Sequence, residues 1–260
     1  MQRVKPSPTV ALTGRVALLK AEGKDIISLG AGEPDFDTPA HIAEAGIEAI
    51  RKGFTRYTPV EGNADLKDAI IEKFRRENRL DYKRSQILVS TGAKQTIFNL
   101  ILALIDAGDE VVIPAPYWVS YPDMVMLADG VPVTPYAGAD QGYKITRAQL
   151  EAAITPKTRL FILNSPSNPT GAAYTRAELR ALGEVLMNHP RVVICTDDMY
   201  EHIYWGAEPF VSLASVCPEL YDRTVTTNGV SKAYAMTGWR IGYCGAIWRS
   251  EERRVGKECR

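Results

Sequence analysis

From residue 86 onward, short apolar runs alternate with stretches long enough for helices, and this alternation restricts the chain more than any other feature. The runs lie at 86–90 (QILVS), 110–114 (EVVIP), 131–136 (VPVTPY), 159–164 (RLFILN), 191–196 (RVVICT), 224–228 (TVTTN) and 240–247 (RIGYCGAI). Their length and apolar character read as buried strands. Between them, AKQTIFNLILALIDAG predicts a helix stopped by Gly108, and TRAELRALGEVLMNH predicts one with Thr175 as N-cap and Glu178 completing a capping box. Strand and helix in this order build an α/β fold on a largely parallel sheet. Before residue 85 the pattern is mostly helical, over 9–22, 39–52 and 63–79, broken by Gly, Pro or Asp turns.

With 260 residues and 45% hydrophobic content, the chain has enough material for a sizeable core. Basic and acidic residues balance at 31 each, which argues against a nucleic-acid or membrane surface. No run is long enough to span a bilayer, the N-terminus lacks a signal-peptide pattern, and a cytoplasmic location is expected. Cysteines at 195, 217, 244 and 259 form no CxxC pair, and three of them read as buried thiols of a reducing compartment. His41, His189 and His202 have no metal-ligand spacing, so no metal is expected.

Several polar motifs fall where strands end. Lys232, in VSKAYAMTGWRIGY, follows a strand and sits among small and apolar residues. An amine there loses hydration and its pKa falls, as a Schiff-base lysine requires; the plainer reading is a surface charge. Arg240 opens the last run, and its flanking Gly238 and Gly242 thin the backbone so that an anion can approach a bidentate guanidinium. The alternative is a strand-end salt bridge. In STGAKQT, the N–H groups of Gly92, Ala93 and Lys94 open a helix and offer an anion site, or form an ordinary strand–helix turn. NSPSNPTG places Asn168 in a rigid loop at the carboxyl edge of the sheet, where α/β folds bind ligands. CTDDMYEH ends another run with Asp197 and Asp198, followed by Tyr200. One of the two acids suits a positively charged ring nitrogen, and the other is expected to be a solvated strand-end acid. An amine, an anion cradle with an arginine, a carboxylate and a Tyr/Asn pair together match the needs of pyridoxal phosphate.

LGAGEPDFDTP, YTPVEGNADLKDAI, PAPYWVSYPDM, NSPSNPTGAAYTRAEL, TDDMYEH and NGVSKAYAMTGWRIGY, in this order, resemble the class I pyridoxal-phosphate aminotransferases of fold type I. The branch they resemble is that of bacterial aspartate and aspartate/prephenate aminotransferases, from about residue 3 to Trp248. The resemblance implies a seven-stranded, mostly parallel sheet flanked by helices. It implies that residues 1–40 belong to a small domain mostly missing here, and 41–248 to the large cofactor-binding domain. Lys232 is implied as Schiff-base lysine and as the general base and acid that moves the substrate proton. Asp197 is implied as partner of the pyridine nitrogen, and Tyr200 and Asn168 as contacts of the ring oxygen. Arg240, Gly92, Ala93 and Lys94 are implied to hold the phosphate. Trp118 covers the ring and touches substrate, Gly32 and Asn168 meet the substrate carboxylate, and Lys5 matches a position linked to prephenate. Tyr57 matches the tyrosine that reaches the phosphate of a neighbouring subunit, which implies a homodimer. Small amino and 2-oxo acids, with L-aspartate and 2-oxoglutarate foremost, are the implied substrates.

Members of this family continue for more than a hundred further residues, including an arginine that clamps the substrate carboxylate. The tail RSEERRVGKEC, Arg249 to Cys259, matches a translated sequencing adapter in frame, so residues 249–260 are expected to be non-native. Three alternatives stand beside transamination. One is another enzyme of the same cofactor class, a lyase or decarboxylase or an aromatic aminotransferase. The second is a fragment that binds the cofactor without turnover, the expected fate of the literal chain. The third is an unrelated phosphate-binding α/β domain. Release of ammonia without an oxo-acid acceptor would mark the lyase.

Overall fold

The structure, a computed structural model, describes residues 8–28, 30 and 32–247. Lys5 and the tail 249–260 lie outside the described residues.

Strands β1 (Ile87–Thr91), β2 (Glu110–Val112), β3 (Val131–Val133), β4 (Thr158–Asn164), β5 (Val193–Asp197), β6 (Thr224–Gly229) and β7 (Ile241–Gly245) form a seven-stranded sheet in the order β1-β7-β6-β5-β4-β2-β3. All seven expected runs contribute a strand. Only β7 runs against the others, pairing antiparallel with both β1 and β6. The helices are α1 (Pro8–Ala21), α2 (Ala40–Arg51), α3 (Ala64–Lys73), α4 (Ala93–Leu104), α5 (Ser120–Leu127), α6 (Arg147–Ala153), α7 (Arg176–Met187) and α8 (Leu213–Val216).

The central strands read as continuous apolar runs because both faces are covered. Successive side chains of a strand point to opposite faces. On β4, Phe161 and Leu163 pack with Leu179, Leu182 and Leu186 of α7, whereas Leu160 and Ile162 pack with Ile97 and Ile101 of α4 and Val125 of α5. A third cluster, around Phe74, Tyr82 and Tyr243, closes the β1 end of the sheet. Cys195, Cys217 and Cys244 are buried free thiols, as the sequence suggests.

The capping box of α7 is present, with Thr175 Oγ1 accepting from Glu178 N–H and Glu178 reaching back to Thr175 N–H. Two helix ends differ from expectation. Helix α4 stops at Leu104, because Ile105 turns extended to enter the core, and Gly108 sits in the following turn with φ 84°. The helix expected over 63–79 is α-helical only to Lys73 and continues as a π turn, Phe74–Asn78, ended by Arg79 with φ 57°. The wider turn seats Phe74 and Asn78 in the interior.

Candidate functional site

Because β7 is antiparallel, its first residues arrive at the edge where β1, β5 and β6 finish. The registers place Thr91 opposite Ile241 and Gly229 opposite Gly242. Residues 92–94, 164–168, 197–200, 229–232 and 240 therefore share one sheet edge, although up to 148 positions separate them.

The anion-binding end is built by close packing. Gly92 caps α4 with φ 80°, a conformation that favours glycine. Arg240 lies against it: a Cβ on Gly92 would overlap Arg240 Nη2 and come within 2.9 Å of Arg240 Cζ. The arginine backbone is itself left-handed (φ 55°), and its Nη1 is anchored to Thr237 O at 2.9 Å. Lys94 adds a second cation, 4.8 Å from the Trp118 ring centroid. An open cavity of about 400 Å³ is lined here by Thr91, Lys94, Gln95, Ser120 and Arg240, among others. Two cations at a helix N-terminus suit a phosphate. The glycine reading needs one correction. A Cβ on Gly242 would overlap Ala93 N and Gly92 C, so its bareness admits the β1–α4 turn, not a ligand, and Gly238 faces open space.

Asp197 ends β5 fully within the protein, where its Oδ2 accepts from Tyr121 Oη at 2.6 Å and its Oδ1 from Met199 N–H at 3.3 Å. Burial pushes its carboxyl upward, against those two donors. No lysine, arginine or histidine pairs with it among the described residues. A carboxylate so placed is suited to a protonated ring nitrogen. Asn168 Nδ2 donates to Tyr200 Oη at 3.3 Å, and Asn164 holds this arrangement by donating to Asp197 O at 2.9 Å while accepting from Asn168 N–H at 2.7 Å.

Lys232 is half-buried, 5.8 Å from the Tyr200 ring centroid, and donates to Gly32 O. Burial lowers its pKa, with Arg240 lowering it further and Glu33 opposing. The amine is thereby shifted toward the nucleophilic, neutral form. Its loop is tied to the N-terminal segment by Thr38 Oγ1 donating to Ala235 O at 2.8 Å and by Thr237 Oγ1 donating to Glu33 at 2.5 Å.

Lys232, Asp197, Tyr200, Asn168, Arg240, Gly92, Ala93, Lys94, Trp118 and Gly32 thus stand at this edge or on the loops above it. Tyr57 does not join them by any hydrogen bond among the described residues; it is fully exposed between α2 and α3. Tyr121 and Asn164 escaped the sequence reading. Tyr121 lies within PAPYWVSYPDM, but nothing in that motif points its hydroxyl to Asp197; Asn164 could have been found as the polar end of an apolar strand.

Comparison with known proteins settles the family. The model of the aminotransferase class I and II family matches residues 24–249. The chain belongs to that family. Among curated aminotransferases, the aspartate/prephenate aminotransferase of Nitrosomonas europaea is 62% identical over 245 residues, which cover 94% of this chain and 62% of the relative. The aspartate/prephenate aminotransferase of Cereibacter sphaeroides is 61% identical over 243 residues. In structure, this chain superposes on the aspartate aminotransferase from Rhizobium meliloti with TM-score 0.92 and 51% identity, covering 99% of this chain and 64% of that one. It also superposes on the Thermus thermophilus enzyme with maleate, at TM-score 0.91 and 43% identity. The architecture is that of the fold type I transferases. The chain spans a little under two-thirds of the length of these relatives.

The expectation of one solvated aspartate fails: Asp198 is as deeply buried as Asp197. Its Oδ2 has no hydrogen-bond partner, and burial pushes the carboxyl up to about 8, with Glu201 adding to the shift and Ser212 opposing it. The folded chain therefore keeps a proton that the unfolded chain, titrating near 3.8, gives up. This contribution to stability is complete below the unfolded value and is lost as pH rises through about 8. Over that window it lowers the unfolding free energy by up to about 1.4 kcal/mol per pH unit. Urea unfolding at several pH values between 5 and 8 is expected to show a shallower decline in Asp198→Asn than in the parent chain. Equal slopes would contradict it.

Proposed function

We propose that the whole protein is a pyridoxal-phosphate-dependent aminotransferase that takes L-aspartate as amino donor and 2-oxoglutarate as acceptor. The observation that carries this reading is the meeting of Lys232, Asp197 and the Arg240–Gly92 cradle at one sheet edge. The residues fit the cofactor on chemical grounds: an N–H-lined cradle with two cations for the phosphate, a buried carboxylate without a cation for the ring nitrogen, and an amine of lowered pKa for the aldehyde. When bound, pyridoxal phosphate supplies an electron sink for the charge that develops at the substrate α-carbon. Arg240, Lys94 and the N–H groups of residues 92–94 hold its phosphate. Asp197, kept in place by Tyr121, holds the ring proton. Asn168 and Tyr200 orient the ring oxygen, and Trp118 shields the ring from water. Lys232 would hold the aldehyde and, as a free amine, would take up and return the proton at the substrate α-carbon.

The names of the curated relatives support aspartate, and several add prephenate; Lys5 is the residue we assign to that second substrate. Gly32 and Asn168 are assigned to the substrate carboxylate. Residues 1–40 are read as part of a small domain and 41–248 as the large one. The exposure of Tyr57 suits a homodimer in which it reaches the partner subunit's phosphate site. Among the described residues no helix is long and apolar enough to cross a membrane, and we place the enzyme in the cytoplasm.

The test is covalent capture. The 260-residue chain, mixed with pyridoxal phosphate and reduced with borohydride, is expected to gain one cofactor mass, mapped to the peptide containing Lys232. Labelling spread over surface lysines would overturn the site. Restoring the full gene and assaying aspartate with 2-oxoglutarate then tests the substrates, and ammonia release without an acceptor would favour a lyase.

A further inference from the structure

Behind the cofactor edge lies a buried polar cluster centred on the Glu201 carboxylate. It forms an ion pair with Lys73 and accepts hydrogen bonds from Asn78 Nδ2 at 2.7 Å and from Asn228 Nδ2 at 2.8 Å. Lys73 Nζ also donates to Asn78 Oδ1 at 2.7 Å. Lys73, Asn78, Glu201 and Asn228 are all buried. His202 and Glu77 form the rim, with His202 Nε2 3.2 Å from Glu77 and Nδ1 3.4 Å from Glu201. Glu77, Glu201 and His202 bring potential metal ligands within 4.8 Å of one another, but Lys73 is ion-paired with both carboxylates and Arg76 with Glu77. The cluster is an ion network, not a cation site.

Its placement matters more than its charge. Glu201 directly follows Tyr200, and Asn228 stands near the end of β6, four positions before Lys232. The 2.8 Å bond between them is a direct side-chain link between the turn after β5, which carries Tyr200, and the end of β6, which leads into the loop carrying Lys232; it stands beside the backbone bond from Asp198 N–H to Thr227 O at 2.9 Å. Asn228 also stiffens the second loop itself, because its Oδ1 accepts from Gly229 N–H at 2.7 Å. Beyond it, Val230, Tyr234 and Met236 N–H groups are bonded to Ile241 O, Val230 O and Ser231 O, so the loop is held in one shape by a few bonds.

We propose that Asn228 is a positioning residue: by gripping the Glu201 carboxylate it fixes the Lys232 loop at one spacing from Tyr200 and Asp197. The role rests on the reading of Lys232 and Tyr200 as cofactor ligands. Asn78 provides the control, since it donates to the same carboxylate from the π turn and, among the described residues, makes no hydrogen bond to the Lys232 loop.

Hydrogen–deuterium exchange of the 260-residue chain without cofactor decides the mechanical part. In Asn228→Ala the peptide covering 229–236 is expected to exchange about tenfold faster, on the scale of one buried hydrogen bond, and in Asn78→Ala at the parent rate. Should Asn228→Ala not fold, Asn228→Ser, whose hydroxyl is too short to reach Glu201, takes its place. Unchanged exchange in the Asn228 variant, or an equal rise in both variants, would overturn the proposal. The cofactor dissociation constant is the second readout: a rise in the Asn228 variant alone supports positioning, and equal values in both variants contradict it. A parent chain that captures no cofactor would defeat the proposed function, while the exchange comparison would still decide the role of Asn228.

Discussion

Replacement of Lys232 by alanine is expected to abolish covalent capture of pyridoxal phosphate and leave the fold intact. In the proposed function the amine is the group that bonds the aldehyde, and among the described residues the other lysine at this edge, Lys94, faces the Trp118 ring. The structural loss is small. Lys232 makes one hydrogen bond, to Gly32 O, and Gly32 is exposed, so its carbonyl turns to water when the lysine is gone. A loss of about 1 kcal/mol or less in unfolding free energy is the scale for such a bond. The phosphate cradle is untouched, so the variant should still bind the cofactor non-covalently and more weakly. Two measurements on one sample check this: mass after borohydride reduction, expected without the added cofactor, and the urea midpoint, expected near that of the parent. A retained adduct would mean that another amine forms the bond.

The reverse pattern is expected at Gly242, where the fold suffers first. A methyl group there would overlap Ala93 N and Gly92 C and lie 2.8 Å from Ala93 Cα. All three are backbone atoms of the β1–α4 turn, which no rotamer change can move aside. Relief requires β7 to separate from the turn, disturbing the pairing of Thr91 with Ile241 and withdrawing Arg240 from Gly92. A loss of about 3 kcal/mol or more is expected for Gly242→Ala, at the upper end for overpacking because the neighbours are rigid. Gly238→Ala, four residues away in the same motif, meets nothing within 4 Å and should stay within about 0.5 kcal/mol of the parent. Urea unfolding of the pair distinguishes steric packing from a general need for glycine near Arg240; equal effects would refute the packing account.

These two sites also show what a sequence displays and what it conceals. The strands were legible because a sheet covered on both faces demands runs of apolar residues, and Leu160 to Leu163 satisfy opposite faces at once. Lys232, Arg240 and Asp197 were legible because each follows or opens such a run. Gly242 was visible as a glycine, but its reason was not, since that lies in a strand pairing with Ser90, 152 positions earlier. Tyr121 stood unremarked within PAPYWVSYPDM, and only the fold brings its hydroxyl to Asp197. The helix expected over 63–79 ignored the π turn because apolar periodicity says nothing of Lys73 and Asn78, whose partner is Glu201, 123 positions on from Asn78. Buried polar pairs of long separation leave no periodic trace, and so the whole Glu201 network went unread.

The order of the strands has a consequence for how the protein is made. β1 is synthesised first, yet its only neighbour in the sheet is β7, the last strand to be made. A chain growing on the ribosome can assemble β2 to β6 while β1 still lacks its hydrogen-bonding neighbour, and with it the turn at Gly92. The five residues Ile241–Gly245 then enter between the oldest and the newest parts of the sheet and bring Arg240 with them. Nascent polypeptide released before that point would have most of a core and no phosphate cradle, so cofactor binding reports that translation has passed β7.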